Sequence, residues 1–66
     1  TRPDLREVAC RGLGMMGSEE STRPLVRAAQ DEDPGVRKAA YLALAMLGLP
    51  SAEEALARGL GLARAA

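Results

Sequence analysis

The chain has 66 residues, and its 9 lysines plus arginines balance its 9 aspartates plus glutamates. A formal net charge of zero argues against electrostatic steering toward nucleic acid or a membrane surface. The apolar residues are mainly leucine and alanine, without phenylalanine or tryptophan, which predicts an aliphatic, helical core. A single cysteine cannot form an internal disulfide, and no apolar stretch has the roughly 20 residues of a membrane span, so we expect a cytoplasmic protein.

The first helix is predicted over residues 4–16. Its apolar residues recur at the spacing of one helix face, and we expect that face to point inward. These residues are Leu5, Val8, Ala9, Leu13 and Met16. Gly17 follows the last of them, and glycine readily takes the left-handed conformation that ends a helix.

The second helix is predicted over residues 20–30. Ser18 or Ser21 can cap its first turn, where the neighbouring glutamates also favour the positive end of the helix dipole. Pro24 has no backbone N–H and fits a helix only in its first turn. We therefore expect a regular start near Ser21, or a bend at Pro24 if the helix begins sooner.

The third helix is predicted over residues 34–47 and has the clearest start signal. Asp33 is a natural N-cap, and Pro34 suits the first helical position because its φ is already helical. Gly48 ends the helix. The predicted inner face consists of Val36, Ala39, Ala40, Ala43, Leu44 and Leu47.

The fourth helix is predicted over residues 51–64, with Leu56, Leu60 and Ala63 facing inward. Ser51 followed by Glu54 has the spacing of a capping box. Connections of about three to five residues between helices favour antiparallel neighbours. The prediction is an all-α chain of two antiparallel helical hairpins in a right-handed stack.

The second half of the chain repeats the first at a distance of 31 positions, which separates Pro3 from Pro34 and Gly17 from Gly48. This period is typical of stacked helical repeats, which mostly bind extended partners. Repeat one spans 2–32 and repeat two 33–64. Such arrays usually need about three repeats for stability, so we expect this chain to be a fragment of a longer array.

The segment DPGVRKAAYLALAMLG at residues 33–48 resembles the HEAT-like repeat, in the short variety named after phycobilisome lyases. The segments STRPL at 21–25 and AEEAL at 52–56 resemble the Ala-x-x-Pro-Leu stretch of that family. The first unit departs from the pattern at Gly12 and lacks an aspartate cap before Pro3. The resemblance implies an α-solenoid with its first helices on the convex side. Members mostly scaffold protein complexes, while some resemble bilin lyases and a distant branch contains DNA glycosylases.

The third helix carries nine consecutive apolar residues, 39–47, more than one inner face requires. A helix that is apolar on all sides is normally buried on all sides. One interpretation is that Tyr41 and Leu42 pack on neighbouring helices. The alternative, which we adopt as a prediction, is a convex contact patch for a second copy or a protein partner. This patch consists of Tyr41, Leu42, Ala45 and Met46, with Met15 beside them.

Arginines at matching positions of the second helices define a further candidate, a concave basic stripe of Arg23, Arg27, Arg58 and Arg64. Such a stripe could hold phosphates or an acidic partner. The preferred interpretation is ordinary solvated arginine balanced by nearby carboxylates. No aromatic residue interrupts the stripe, which argues against stacking of single-stranded nucleic acid.

Arg6 and Arg37 occupy one repeat position beside aspartates, and we expect ion pairs that join successive repeats. Cys10 is interpreted as a small helix residue, because no general base lies near it in the sequence. The chain has no histidine, no metal-ligand spacing and no phosphate-binding loop. We predict a non-catalytic interaction module without a cofactor or metal. The alternatives are nucleic-acid or acidic-partner binding, or an accessory part of a bilin-lyase-like protein.

Overall fold

The computed structural model describes residues 2–59. Within this range the chain is all-helical, as predicted, and contains no strand. The α-helices are α1 (Pro3–Met16), α2 (Thr22–Ala28), α3 (Pro34–Leu47) and α4 (Pro50–Gly59), and a short 3-10 helix (Glu19–Ser21) precedes α2. The central helix is α3, which packs against each of the other three. Residues 60–66 lie outside the described range, and with them the predicted inward positions Leu60 and Ala63.

The helix ends confirm most of the sequence signals. Gly17 and Gly48 both take the left-handed conformation, with φ of 64° and 63°, directly after α1 and α3. The Asp33 Oδ2 atom accepts a hydrogen bond from the Val36 N–H at 3.0 Å, and Pro34 is the first residue of α3. By contrast, Arg2 caps α1 without a side-chain hydrogen bond. The first unit is thus less well capped than the second.

The second helix has the regular start that Pro24 requires. The Ser18 Oγ accepts a hydrogen bond from the Glu20 N–H at 3.2 Å and opens the 3-10 helix. Pro24 is then the third residue of α2, within the first turn, where its missing N–H costs nothing. The helix ends at Ala28, earlier than predicted, because bonds between residues three apart tighten the chain there, as in Asp31 N–H to the Ala28 carbonyl at 3.0 Å.

The predicted capping box of α4 is wrong. The helix begins at Pro50, so Ser51 is its second residue rather than its cap. Proline suits that first position because its φ is fixed and its N–H is absent. The Ser51 hydroxyl instead donates to the Glu19 carboxylate and lies 3.4 Å from Thr22 Oγ1. This serine therefore joins α4 to the second helix of the other repeat.

The buried core forms around α3. It consists of Cys10, Leu25, Val36, Ala40, Ala43, Leu44, Leu47 and Ala52. The predicted inner face of α3 is confirmed, with Ala39 half-buried. Leu56 of α4 is half-buried against the same core, as expected for an inward position.

The predicted inner face of α1 is wrong. Leu5, Val8, Ala9 and Met16 are exposed and Leu13 is half-buried, whereas Cys10 and Gly14 are buried. Helices α1 and α3 meet through small residues, since a Cβ built on Gly14 would lie 2.8 Å from the Cβ of Ala43. Periodicity locates an apolar face but does not say which neighbour covers it, and within residues 2–59 nothing covers this one.

Candidate functional site

An open apolar groove runs between α1 and α3 and has a volume of about 600 Å³. We call it the α1–α3 groove. Helix packing creates it, because the close contact of Gly14 with Ala43 brings the backbones together while longer side chains rise on both sides. It is lined by Glu7, Arg11 and Met15 from α1, and by Gly35, Lys38, Ala39, Leu42, Ala43 and Met46 from α3.

Three members of the predicted contact patch meet in this groove. Met15, Leu42 and Met46 line it, and each side chain is more than half exposed. Met15 and Met46 occupy the same position in the two repeats, and both line this groove. Methionine side chains are flexible and polarizable, which suits a surface that adapts to a partner.

The structure separates Tyr41 and Ala45 from the other three patch residues. Tyr41 lines a different cavity, between α2, α3 and α4. Its ring covers Gly59, where an added Cβ would lie 2.6 Å from the ring Cε1 atom. Ala45 is exposed and lines neither cavity. Successive helix residues turn by about 100°, so Tyr41 and Leu42 cannot share one face. Tyr41 therefore packs against a neighbouring helix, which was the first interpretation, whereas Leu42 is exposed, as the contact-patch prediction requires.

Charged side chains border the α1–α3 groove. Arg11 and Lys38 supply two cations, and Glu7 supplies one anion. The Glu7 carboxylate lies over the start of α3, where a Cβ built on Gly35 would come within 2.6 Å of its Oε2 atom. A carboxylate at a helix N-terminus is favoured by the helix dipole. The two cations stand further along the groove, so its border is mainly positive.

The predicted basic stripe is not continuous. Arg23 and Arg58 line one groove between α2 and α4, and three glutamates, Glu19, Glu20 and Glu54, line the same groove. Arg58 forms an ion pair with Glu54 at 2.9 Å. Arg27 lines a separate cavity beside Cys10 and Asp31. Arg64 lies outside the described residues.

Among the ion pairs that the structure gives for residues 2–59, only the pair of Arg6 and Asp31 has both side chains half-buried. The Arg6 guanidinium donates to both carboxylate oxygens, at 2.8 and 3.0 Å. The bond from Arg6 is the main reason that the pKa of Asp31 is lowered, and a bond from the Asp33 N–H adds to this effect. The same ion pair raises the pKa of Arg6. The predicted ion pair between α1 and the repeat junction is confirmed.

Arg37, the repeat equivalent of Arg6, bonds to backbone instead of carboxylates. Its guanidinium donates to the carbonyl oxygens of Asp31 and Glu32, at 2.9 and 3.0 Å. The prediction of a carboxylate partner for Arg37 is therefore wrong, since the Asp31 carboxylate bonds to Arg6 and the Asp33 carboxylate caps α3. Both arginines nevertheless bond to Asp31 in the loop that joins the repeats, Arg6 through the carboxylate and Arg37 through the backbone carbonyl.

Cys10 is buried, and burial raises the pKa of its thiol. A thiol in this state is a poor nucleophile, which agrees with its interpretation as a small core residue. In the part of the chain that the structure describes, no cluster of histidine, cysteine and carboxylate side chains has the arrangement of a metal site. Nor does any helix there combine the length and apolarity needed to cross a bilayer.

A second exposed apolar surface was missed by the sequence analysis, which assigned all of its residues except Gly12 to the core. We call it the open face of α1, and it consists of Leu5, Val8, Ala9, Gly12 and Met16. Leu5 is 56% exposed while its repeat equivalent Val36 is 0% exposed, and Met16 is 70% exposed while its equivalent Leu47 is 9% exposed. The 31-residue alignment pairs these positions with the buried face of α3 but does not show which helix covers them.

The sequence matches the family model for HEAT repeats over residues 1–65. No curated protein and no solved structure matches the chain. The match is to HEAT repeats as a class, so the phycobilisome-lyase variety stays a prediction.

Proposed function

The chain belongs to the HEAT-repeat family, and on that premise we propose that it is a non-catalytic protein-binding module whose binding site is the α1–α3 groove. HEAT repeats form a helical repeat module that is generally used for protein interaction. The scaffold role and a cytoplasmic setting belong to the same proposal.

The observation that carries this proposal is the exposure of three large apolar side chains on the walls of one groove. Met15, Leu42 and Met46 are more than half exposed, and the floor between them is formed by the small residues Ala39 and Ala43. Apolar side chains gathered in a concave surface lose contact with water when a partner fills it. Full burial of each large side chain contributes roughly 1.5–3 kcal/mol.

The shape and charge of the groove indicate the partner class. A groove between two antiparallel or parallel helices accepts a third helix, whose apolar residues at positions i, i+3, i+4 and i+7 enter it. Arg11 and Lys38 on the border favour carboxylates beside that apolar stripe. We therefore propose a partner segment that forms an amphipathic helix with acidic flanks.

The proposal is tested with two synthetic amphipathic peptides that share one leucine stripe and differ in their flanks, glutamate in one and lysine in the other. Fluorescence anisotropy measures binding of each peptide to the chain and to the double variant Leu42→Glu with Met46→Glu. We expect the glutamate peptide to bind more tightly than the lysine peptide. The double variant should lose at least about tenfold in affinity, since it loses two apolar contacts.

The matched control is Val8→Glu with Met16→Glu. These two changes also place carboxylates on exposed apolar positions, here on α1, but neither residue lines the groove. The control should bind the glutamate peptide within about twofold of the original chain, a difference below 0.5 kcal/mol. Circular dichroism should give the same helix content for all three proteins. Equal binding by both double variants, or no preference for acidic flanks, would contradict the proposal.

A further inference from the structure

Two of the three large apolar side chains in the α1–α3 groove are methionines, Met15 and Met46. Met15 is 73% exposed and Met46 is 60% exposed, so solvent reaches both thioethers. Apart from Leu42, the other residues that line the groove are either charged or as small as glycine and alanine. The apolar character of the groove walls therefore depends mainly on two sulfur-containing side chains.

A thioether that solvent reaches is open to oxidation by peroxides. The sulfur takes one oxygen atom from hydrogen peroxide, the O–O bond breaks, and the second oxygen leaves as water. The sulfur is oxidised by two electrons, and the peroxide is reduced. The product, methionine sulfoxide, is polar, and sulfoxide reductases convert it back to methionine. In that reverse step a dithiol becomes a disulfide and the oxygen leaves as water.

We propose that Met15 and Met46 form an oxidation switch in the groove. Peroxide converts both to sulfoxides and releases the helical partner, and a sulfoxide reductase restores binding. This inference rests on the proposed function of the groove. Its physical reason is desolvation, because a sulfoxide oxygen buried against the apolar stripe of the partner gives up hydrogen bonds to water. Leu42 then remains as the one large apolar contact on the groove walls.

The chain contains its own control for this switch. It has three methionines, and the third, Met16, is 70% exposed but does not line the groove. Met15 and Met16 are adjacent in the sequence, yet successive helix residues point about 100° apart. The sulfur of Cys10 is buried, so peroxide reaches the methionines more easily. Oxidation of Met16 should therefore leave partner binding unaffected.

The test compares three proteins: the original chain, Met16→Leu, and the double variant Met15→Leu with Met46→Leu. Each is measured before and after treatment with hydrogen peroxide, and mass spectrometry locates the added oxygen atoms. Fluorescence anisotropy gives the affinity for the glutamate-flanked peptide, which is made without methionine or cysteine. Each protein is compared with its own untreated sample, so differences in starting affinity do not enter.

Oxidation should weaken peptide binding by at least about tenfold in the original chain and in Met16→Leu. The affinity of the double variant should change by less than about twofold on the same treatment, because leucine has no sulfur to oxidise. Incubation of oxidised Met16→Leu with dithiothreitol and the reductases for both sulfoxide epimers should restore its affinity. Bound peptide should also slow the oxidation of Met15 and Met46 in the original chain, but not that of Met16.

A tenfold loss in the double variant would place the effect at Met16 or Cys10 and overturn the switch. Undiminished binding by Met16→Leu that carries both sulfoxides would overturn it as well. So would a loss of helix content when Met16→Leu is oxidised, which circular dichroism detects. None of these results contradicts the proposed function if the untreated chain binds the peptide. If the untreated chain does not bind, the proposed function fails and the switch fails with it.

Discussion

Helices α1 and α3 carry the same repeat pattern, yet they are buried differently. The apolar face of α3 forms the core, while the aligned face of α1 is open to solvent. The residues of the two faces align and are similarly apolar, so the difference in burial depends on which helix covers each face. In a repeat protein, an apolar face indicates where a neighbour belongs, and the neighbour decides whether that face stabilises the fold or binds a partner.

The largest expected effect compares two aligned leucines. Leu44 of α3 is fully buried, and Leu13 of α1 is half-buried. Leu44→Ala should lower the free energy of unfolding by about 2–5 kcal/mol through lost burial and the cavity left behind. Leu13→Ala should cost roughly 1–2 kcal/mol, because less of its surface leaves water on folding. Urea unfolding followed by circular dichroism at low micromolar concentration measures both. Equal losses of unfolding free energy in the two variants would contradict the difference in burial between α1 and α3.

A smaller effect compares two glycines on one helix. Gly14→Ala should destabilise the chain by about 1–2 kcal/mol, because the overpacking against Ala43 exceeds the helix-propensity gain. Gly12→Ala should stabilise it by about 0.5–1 kcal/mol, since an added Cβ meets nothing there. The same urea titration gives both values. If both substitutions stabilise the chain, the close approach of α1 to α3 is wrong.

The smallest expected effect concerns the Arg6–Asp31 ion pair and its pH dependence. The pKa of Asp31 is lowered in the folded state, so the pair stabilises the chain above the ordinary aspartate pKa of about 3.9. This contribution is lost as the pH falls through the lowered, folded-state value. Arg6→Gln should therefore flatten the decline in stability between about pH 5 and pH 2.

The control for this prediction is Arg2→Gln. Arg2 forms an ion pair with Asp4, but both side chains are largely exposed, and such pairs contribute little. Urea midpoints measured across the acidic range should therefore follow the original chain for Arg2→Gln and depart from it for Arg6→Gln. Identical pH profiles for the two variants would show that the half-buried pair has no special contribution.

Local signals in the sequence predicted the elements of this fold well. Asp33 and Pro34 start α3, and Gly17 and Gly48 end α1 and α3, because these signals depend on backbone geometry within a few residues. Ser51 was assigned wrongly because Pro50 is an equally local signal for the helix start and shifts it by one residue.

The candidate site was less predictable from sequence. Met15, Leu42 and Met46 line one groove, and their role as a contact patch stays a prediction, whereas Tyr41 turns toward α4 because a neighbouring helix lies on that side. The open face of α1 was taken for core, since periodicity carries no information about which neighbours exist. In both cases the apolar periodicity of the sequence did not show where the other helices lie.

The asymmetry between α1 and α3 is tested most directly by the solvent accessibility of individual methyl groups. A soluble gadolinium chelate broadens the NMR signals of methyl groups that solvent reaches. In a dilute sample we expect strong broadening for Leu5 and Met16, and little for their aligned counterparts Val36 and Leu47. Equal protection of the two sets in the dilute, monomeric chain would contradict the account.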